Sequence, residues 1–354
     1  MYAFVGCYTT ADRDGRGVGI GVYGVDAASG AWEQVRVVTD VTNPSFLALH
    51  PQQRVLYCVH GGSGEGVSSF AIDPIGGELN ALNTRPSGGT NPVHLSVHPG
   101  GTCLVVANYT GATVAMLPIA PDGFLAPPSQ VVDLKGETGP DPIEQSGPHP
   151  HDIPLDPTGT FAVVPDKGLD RVFVFRLDVD QQTLVPTPQG GVRARAGAGP
   201  RHAAFHPSTP HAYVVNELDS TVTTYHFDKD TGALETLQTL GTLPVDFSGQ
   251  NTGAEIAVAP SGSFVYASNR GHDSVVIFAV DPGSGRLTTV GWEPTQGQQP
   301  RHFALDPSGT FLYAANQASD TITTFRVDPT AGTLQPTGQV IRTGSPVSIV
   351  FADV

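Results

Sequence analysis

Hydrophobic and polar residues alternate along this chain in a cassette that recurs six times. All copies but the one at 252 begin with a segment containing Pro or His, and each has a short apolar run, a turn with proline and a second apolar run. A third run alternates and contains Phe or Tyr, and an Asp- and Gly-rich turn then leads to a run that begins with Leu. We number the copies one to six, and they begin at positions 43, 91, 149, 199, 252 and 299.

The spacing of the copies indicates the class of repeat. One proline anchors each copy after its first apolar run, at Pro51, Pro99, Pro157, Pro207, Pro260 and Pro307. Successive anchoring prolines are 48, 58, 50, 53 and 47 residues apart. A period near 50 residues, with about four short strands in each period, is typical of a propeller blade rather than of a helical solenoid.

The runs themselves have the period of β-strands. In TVTTYHF, residues 221–227, even and odd positions would place their side chains on opposite faces of a sheet. The turns are rich in Asp and Gly, as in DKDTGAL at 228–234 and DPGSGRL at 281–287. Such turns fit hairpins between the outer strands of a blade.

The two ends of the chain predict a seventh blade. The last segment, SPVSIVFADV at 345–354, looks like a first strand with nothing after it, and residues 1–35 look like strands two to four without a first strand. Joined, they would close the ring and remove the unpaired edges of an open sheet. The sequence therefore predicts an all-β, seven-bladed β-propeller with four antiparallel strands per blade, formed by residues 1–354 as one domain.

Composition narrows the classes of partner. The chain has 18 Lys and Arg against 33 Asp and Glu, a formal net charge of −15, so nucleic acid and anionic membranes are disfavoured. Charged residues make up 14%, against roughly 25% in typical soluble domains, which fits many short strands. No 18-residue apolar stretch and no signal-peptide pattern is present, so we expect no membrane span and a cytoplasmic location.

The three cysteines do not form a disulfide framework. Cys7, Cys58 and Cys103 are odd in number, include no CxxC pair, and each lies in an apolar run. We expect reduced thiols in the core rather than a catalytic nucleophile.

Propeller topology brings two positions of each copy to one face of the disc, the start of strand one and the turn after strand two. The first position holds Ser45, Val93, His151, Arg201, Ala254 and Arg301. The residue after it is Phe46, His94, Asp152, His202, Glu255 or His302. The turn holds Tyr109, Lys167, Glu217, Arg270 or Gln317.

This face carries an unusual share of the positive charge. Four of the 18 basic residues fall there, beside several histidines: Lys167, Arg201, Arg270 and Arg301. A basic pocket on an acidic protein predicts capture of a small anion. The alternative for any one of these residues is bracing between blades, and we expect bracing for His94 and His302.

Metal and nucleotide sites are less well supported. His149 and His151 could supply two metal ligands, but the chain has no HExxH or CxxC companion and nearby arginines would repel a cation. Asp166 and Asp170 could hold a structural cation or, as we expect, cap a turn. The glycine-rich segment 15–21 does not lie between a strand and a helix. We therefore expect no catalytic metal and no cofactor.

Several motifs resemble one family over essentially the whole chain. They are GPHPH (147–151), GPRHAAFHP (199–207), NELDSTV (216–222), SNRGHDS (268–274) and PRHFALDPSGTFLYAANQ (300–317). Together they are similar to the β-propeller lactonases, which include propeller-type 6-phosphogluconolactonases and fungal 3-carboxy-cis,cis-muconate lactonizing enzymes. One departure is visible, because Lys167 stands where the family commonly has Leu in Asp-Leu-Gly.

The resemblance implies a site of histidine, arginines and glutamate. The catalytic residues carried over are His151 or His149, with Arg201, Glu217 and Arg270. We expect further contacts with substrate from Arg301, His202, Lys167, Asn216 and Asn269. In this view Glu217 or His151 would be the general base, and Arg201 and Arg270 would stabilise the oxyanion.

The function implied is hydrolysis of a sugar lactone, with 6-phospho-D-glucono-1,5-lactone as the leading substrate and 6-phosphogluconate as product, a step of the pentose phosphate pathway. Two alternatives stay open: a carboxymuconate cycloisomerase, in which the arginines bind carboxylates, and a non-catalytic propeller scaffold. We expect a small anionic substrate as partner and either a monomer or a homodimer.

Overall fold

A computed structural model describes residues 1–62 and 66–353. It contains seven four-stranded antiparallel sheets, and these are the blades of a β-propeller. Residues 1–62 and 66–353 contain no helix that is both long and apolar enough to cross a membrane. The predicted fold class is confirmed.

The strands follow the sequence repeat blade by blade. The N-terminal segment forms β1 (Tyr2–Cys7), β2 (Ile20–Val25) and β3 (Trp32–Val38). Blade one contains β4 (Pro44–Leu49), β5 (Val55–His60), β6 (Gly66–Ile72) and β7 (Leu79–Pro86). Blade two contains β8 (Pro92–Val97), β9 (Cys103–Asn108), β10 (Thr113–Pro118) and β11 (Gln130–Asp133). Blade three contains β12 (Phe161–Asp166), β13 (Arg171–Asp178), β14 (Thr183–Pro186) and β15 (Val192–Arg193).

The second half of the chain is more regular. Blade four contains β16 (Pro200–Phe205), β17 (His211–Asn216), β18 (Thr221–Phe227) and β19 (Leu234–Gly241). Blade five contains β20 (Thr252–Val258), β21 (Phe264–Arg270), β22 (Ser274–Val280) and β23 (Leu287–Pro294). Blade six contains β24 (Pro300–Leu305), β25 (Phe311–Asn316), β26 (Thr321–Val327) and β27 (Leu334–Arg342), and β28 (Pro346–Ala352) follows it. Two short 3₁₀ helices span Ala11–Arg13 and Gln317–Ser319.

The ring closes by pairing the two ends of the chain. Strand β28 is antiparallel to β1, with Phe4 opposite Val350 and Val5 opposite Ile349, and the sheet order is β28-β1-β2-β3. We call this sheet the closing blade. The prediction that the C-terminal strand completes the N-terminal blade is confirmed.

Neighbouring blades pack through apolar faces and through one repeated hydrogen bond. The tyrosine in the second strand of a blade donates its hydroxyl to the carbonyl of a glycine in the hairpin of the next blade. These bonds join Tyr57 to Gly123, Tyr213 to Gly285, Tyr266 to Gly332 and Tyr313 to Gly30, at 2.9–3.1 Å. All four glycines have positive φ, which the type of turn demands. The last bond joins blade six to the closing blade.

Blade three departs from the repeat. Its innermost segment has isolated bridges from Pro150 to Asp166 and from Leu155 to Ala162 in place of a continuous strand. Pro150 and Pro154 lack the backbone N–H that a regular ladder needs. The expected first strand of this copy is therefore irregular, and its outer edge is divided between β14 and β15, which both pair with β13.

The cysteines are core residues, as the sequence predicts. Cys7, Cys58 and Cys103 are buried, free thiols. Burial raises the pKa of Cys7 and of Cys103 to about 11 and that of Cys58 to about 12. Thiols with such pKa values carry almost no thiolate at neutral pH and are poor nucleophiles.

The closing strand generates a stability prediction. Ile349 on β28 is 2% exposed, so we expect Ile349→Ala to lower the free energy of unfolding by about 2–5 kcal/mol. Val340 on β27 is 49% exposed, and Val340→Ala should change it by less than about 0.5 kcal/mol. Urea denaturation of both variants is the measurement. Equal stabilities would contradict the role given to β28.

Candidate active site

The propeller gathers side chains from blades three to six at one end of its axis. Arg201 and Arg301 lie at the start of innermost strands, and Lys167, Glu217 and Arg270 lie at or just after the ends of second strands. Because the inner strands of neighbouring blades are in contact, these five positions lie close together although they are far apart in the sequence, between residues 167 and 301. We call this end of the axis the pocket.

Glu217 is the centre of the charged cluster. Its Oε2 atom lies 2.9 Å from Nε of Arg201 and 3.3 Å from Nη2 of Arg270. Its Oε1 atom lies 3.4 Å from Nζ of Lys167. Arg201 and Arg270 also donate to the backbone carbonyls of Ala254 and Gly253. One carboxylate therefore holds three cations in fixed positions.

The cluster is strongly desolvated. Arg201 is 1% exposed and Glu217 is 9% exposed. Burial by itself would raise the pKa of Glu217, but the charges of Arg270, Lys167 and Arg201 lower it to about 2. Burial, together with Arg270 and Arg301, lowers the pKa of Arg201 to about 9. All of these groups are therefore charged at neutral pH.

The Lys167 side chain is buried in the pocket and does not extend into solvent. It is 3% exposed, its Nζ lies 2.6 Å from Oε2 of Glu144, and it sits 5.2 Å from the centre of the Tyr109 ring. Burial opposes its charge, but Glu217 and Tyr109 raise its pKa further above the ordinary value. Glu144 was not expected from the sequence, because it lies in an irregular segment that the repeat does not align.

The two histidines of GPHPH have different surroundings. The His149 ring stacks on Tyr109 with centroids 4.5 Å apart, and its Nδ1 lies 3.3 Å from the Tyr109 carbonyl oxygen. His151 is 6% exposed and lines a small depression at the base of the pocket together with Arg201 and Arg301. Burial, followed by nearby positive charge, lowers the pKa of His151 well below its ordinary value, so this ring is neutral.

A ring of histidines forms the floor of the pocket. His94 donates from Nε2 to Asp152 at 2.9 Å, and Asp152 accepts the backbone N–H of Ala203 from the next blade. His302 lies 3.5 Å from Glu255. These contacts between neighbouring blades agree with the bracing expected for His94 and His302.

His202 lies in the same floor, between the rings of His94 and His151. It is 5% exposed, and both ring nitrogens are bonded inside the protein, to Glu255 and to His151. His202 also lines the depression beside His151 and Arg201, so the substrate contact expected from the sequence stays a prediction.

Tyr8 lines the depression and Arg13 packs against its ring, and the sequence identified neither residue. The guanidinium of Arg301 lies 5.5 Å from the centre of the Tyr8 ring, and that of Arg13 lies 5.4 Å from it. Tyr8 follows β1, the second strand of the closing blade, and so occupies the same turn position that was compared among the six copies. Extending that comparison to the N-terminal segment would have identified it. Arg13 lies in the loop after Tyr8 and donates to Asn91 of blade two, which no repeat predicts.

Asn216 and Asn269, which the sequence predicts to contact substrate, are both buried and hydrogen-bonded within the protein. Asn216 is 1% exposed and donates to Thr221 and Thr223, whereas Asn269 is fully buried and bonds to Thr242. Asn108 and Asn316 make equivalent bonds at the same strand position in other blades. The repetition of this asparagine is the signal that its role is structural.

Both aspartates of the blade-three turn accept hydrogen bonds from backbone N–H groups. Asp166 accepts the N–H groups of His149 and Leu169, and Asp170 accepts those of Gly197 and Gly199. This is the turn capping expected for both aspartates. Across residues 1–62 and 66–353, no three His, Cys, Asp or Glu side chains are grouped to hold a metal ion.

Comparison with known proteins gives the family. The family model described as "Lactonase, 7-bladed beta-propeller" matches residues 2–351. The chain belongs to the seven-bladed β-propeller lactonases. Within this lactonase family, it is 33% identical over 302 residues to a protein of Bacillus subtilis (strain 168) named 6-phosphogluconolactonase, covering 85% of this chain and 83% of the relative.

Two other relatives have a similar sequence identity to this chain. A protein of Serratia proteamaculans (strain 568), also named 6-phosphogluconolactonase, is 35% identical over 275 residues, covering 78% of each chain. The solved structure of the periplasmic gluconolactonase of Pseudomonas aeruginosa superposes with a TM-score of 0.92 at 33% identity, covering 100% of this chain and 99% of that chain.

The charge cluster generates a pH prediction for this propeller. Because the folded-state pKa of Glu217, about 2, lies below the ordinary 4.5, its ionised form stabilises the fold above pH 4.5, and this is lost as the pH falls towards 2. We expect Glu217→Gln to be less stable than wild type at pH 7 and the difference to shrink by pH 3.

Urea denaturation between pH 7 and pH 3 is the measurement. Glu235→Gln, on an exposed residue of β19, removes the same formal charge and should follow wild type. A stability difference for Glu217→Gln that stays constant across this pH range would show that the ion pairs do not stabilise the fold.

Proposed function

We propose that this protein hydrolyses 6-phospho-D-glucono-1,5-lactone to 6-phosphogluconate. The observation that carries the proposal is the pocket itself, where Lys167, Arg201 and Arg270 surround Glu217, and Arg301 and His151 line the adjoining depression. A desolvated group of cations suits an anionic ester whose carbonyl oxygen gains negative charge during reaction. The names of the Bacillus and Serratia relatives support the same substrate.

The arginines supply the electrostatic part of the mechanism. Attack of water on the lactone carbonyl forms a tetrahedral oxyanion, and Arg201 or Arg270 can donate to it. Glu217 and the backbone carbonyls of Ala254 and Gly253 hold both guanidinium groups before substrate arrives, so little reorganisation is needed. Loss of one oxyanion donor of this kind costs about 3–4 kcal/mol in transition-state stabilisation.

The general base is better assigned to His151 than to Glu217. A carboxylate with a pKa of about 2 in contact with three cations accepts a proton poorly. His151 is neutral and lines the depression, so one of its ring nitrogens can accept a proton from water. Hydroxide adds to the carbonyl carbon, the ring C–O bond then breaks, and the proton passes from His151 to the leaving alkoxide.

Arg301 is the candidate for contact with the phosphate. Among the residues that the structure describes, it makes no ion pair with a carboxylate, unlike Arg201 and Arg270. It rests near the Tyr8 ring, partly exposed, so its fork of donors is available to a ligand. The relative from Pseudomonas, named only a gluconolactonase, makes the phosphate the part of the proposal that needs its own test.

The first prediction from this proposal concerns the base. Purified enzyme should accelerate hydrolysis of 6-phosphoglucono-1,5-lactone above the spontaneous rate, and His151→Gln should lower kcat by about 10²–10⁴-fold. Because its pKa is lowered, His151 stays deprotonated in mild acid, so the acid limb of kcat/KM should lie below pH 6.5. His226→Gln, on the opposite face of the disc, is the control.

The same assay separates the alternatives. Ring closure of 3-carboxymuconate without hydrolysis of any sugar lactone would favour the cycloisomerase. Absence of both reactions, with a protein partner that co-purifies, would favour a scaffold. Either result would refute the proposed hydrolysis.

The second prediction concerns the phosphate. Arg301→Ala should raise KM for the phosphorylated lactone by about 10- to 100-fold, as expected for a charge-assisted hydrogen bond worth about 1.5–3 kcal/mol. KM for unphosphorylated glucono-1,5-lactone should change little. Arg326→Ala, on an exposed residue of β26, should leave both values unaltered. A parallel rise for both lactones would remove Arg301 from phosphate recognition.

A further inference from the structure

A buried chain of hydrogen bonds runs from a carboxylate through two imidazoles to the pocket. Oε1 of Glu255 lies 3.0 Å from Nδ1 of His202, and Nε2 of His202 lies 3.2 Å from Nδ1 of His151. The three residues begin the inner segments of blades five, four and three, so the chain crosses two blade interfaces. Their exposed fractions are 8%, 5% and 6%.

The bonding pattern determines where each proton lies. Oε1 of Glu255 also accepts the backbone N–H of Ile256 at 3.0 Å, so it is an acceptor and Nδ1 of His202 donates to it. In a neutral imidazole the other nitrogen is then an acceptor. Nε2 of His202 must therefore receive a proton from Nδ1 of His151, which leaves the lone pair of His151 on Nε2.

The surroundings keep His202 neutral, as this pattern requires. Burial first, and then the positive charge of Arg201, lowers the pKa of His202 well below its ordinary value. The titratable or charged groups around His202 are His151, Glu255, Asp152, His94, His302, Arg201 and Arg301. The negative charge of Asp152 raises the pKa of His202, but Asp152 is itself paired with His94.

We propose that Glu255 and His202 are positioning residues that hold His151 in the Nδ1–H tautomer, so that its Nε2 atom is the proton acceptor in the pocket. The proposal rests on the proposed function in treating His151 as the base. When Nε2 takes a proton from water, the positive charge on His151 faces His202, and the carboxylate of Glu255 stabilises it through that ring.

A second carboxylate–histidine pair, His94 with Asp152, lies in the same floor of the pocket but is not part of the hydrogen-bond chain from Glu255 to His151. His94 donates to Asp152, but its other nitrogen accepts the backbone N–H of Ile153 and does not meet another ring nitrogen. The His94–Asp152 pair is equally buried and also joins neighbouring blades. It therefore offers a matched control, alike in burial and bracing but without a hydrogen bond to His151.

The direct test is the tautomer of His151. In enzyme labelled with ¹⁵N-histidine, long-range ¹H–¹⁵N spectra should show a protonated Nδ1 and an unprotonated Nε2 for His151, assigned by comparison with His151→Gln. His202→Phe should convert this into a mixture of tautomers, and His94→Phe should not. A protonated Nε2 in the wild type, or an unchanged tautomer in His202→Phe, would overturn the proposal.

Kinetics give a second, independent measurement. His202→Phe should lower kcat for the lactone by about 10- to 100-fold with little change in KM, a smaller loss than removal of the base itself. His202→Gln should recover part of this loss, because its amide oxygen can accept from Nδ1 of His151. His94→Phe should match wild type in kcat, with thermal melting used to verify folding of each variant.

The outcomes separate this proposal from the proposed function. If no lactone is hydrolysed, the function fails, while the wild-type spectrum still decides the tautomer. If the lactone is hydrolysed but the tautomer is Nε2–H, only the positioning role fails. Should His202→Phe not fold, Glu255→Gln replaces it, since loss of the carboxylate charge should also lower kcat with KM preserved.

Discussion

The structure depends above all on the pairing of its last strand with its first. Until β28 joins β1, the closing blade lacks its inner strand and both neighbouring blades have an open apolar face. Closure turns a chain of similar hairpins into a ring of fixed circumference, and the ring decides how far apart the inner strands lie. Arg201, Glu217 and Arg270 come within ion-pairing distance only because the blades that carry them are held at that separation.

The pocket combines two kinds of buried polar group. On one side, a carboxylate with a strongly lowered pKa neutralises only part of the charge of three cations, and such a group favours an anionic ligand. On the other side, the rings of His202 and His151 form a hydrogen-bonded chain from Glu255, and His94 and His302 brace neighbouring blades beside it. Arginine keeps its charge when buried, whereas burial and nearby positive charge lower the pKa of His151 and of His202 and keep both rings neutral. In the proposed mechanism the first group holds the anion and the second moves the proton.

Several features could be predicted from residues alone, and the reasons why others could not are physical. Arg201, Glu217, Arg270 and Lys167 were found because each occupies a position defined by the repeat. Asn216 occupies the same kind of position but faces into the blade, where Thr221 and Thr223 bind it. Whether a side chain at a strand end faces the axis or the sheet depends on local twist and bulges, which spacing does not reveal. Glu144 and Arg13 come from loops that have no counterpart in the other blades.

The sequence by itself determined the architecture. A period near 50 residues, alternating strands and complementary ends leave few ways to bury the apolar faces, so seven blades and their closure follow from local patterns. Only the tertiary structure decided the chemistry of the pocket. The low pKa of Glu217 and the hydrogen-bond chain from Glu255 to His151 arise from distances between atoms on different blades. Electrostatic and hydrogen-bond energies change within fractions of an ångström, and no spacing along the chain encodes distances so finely.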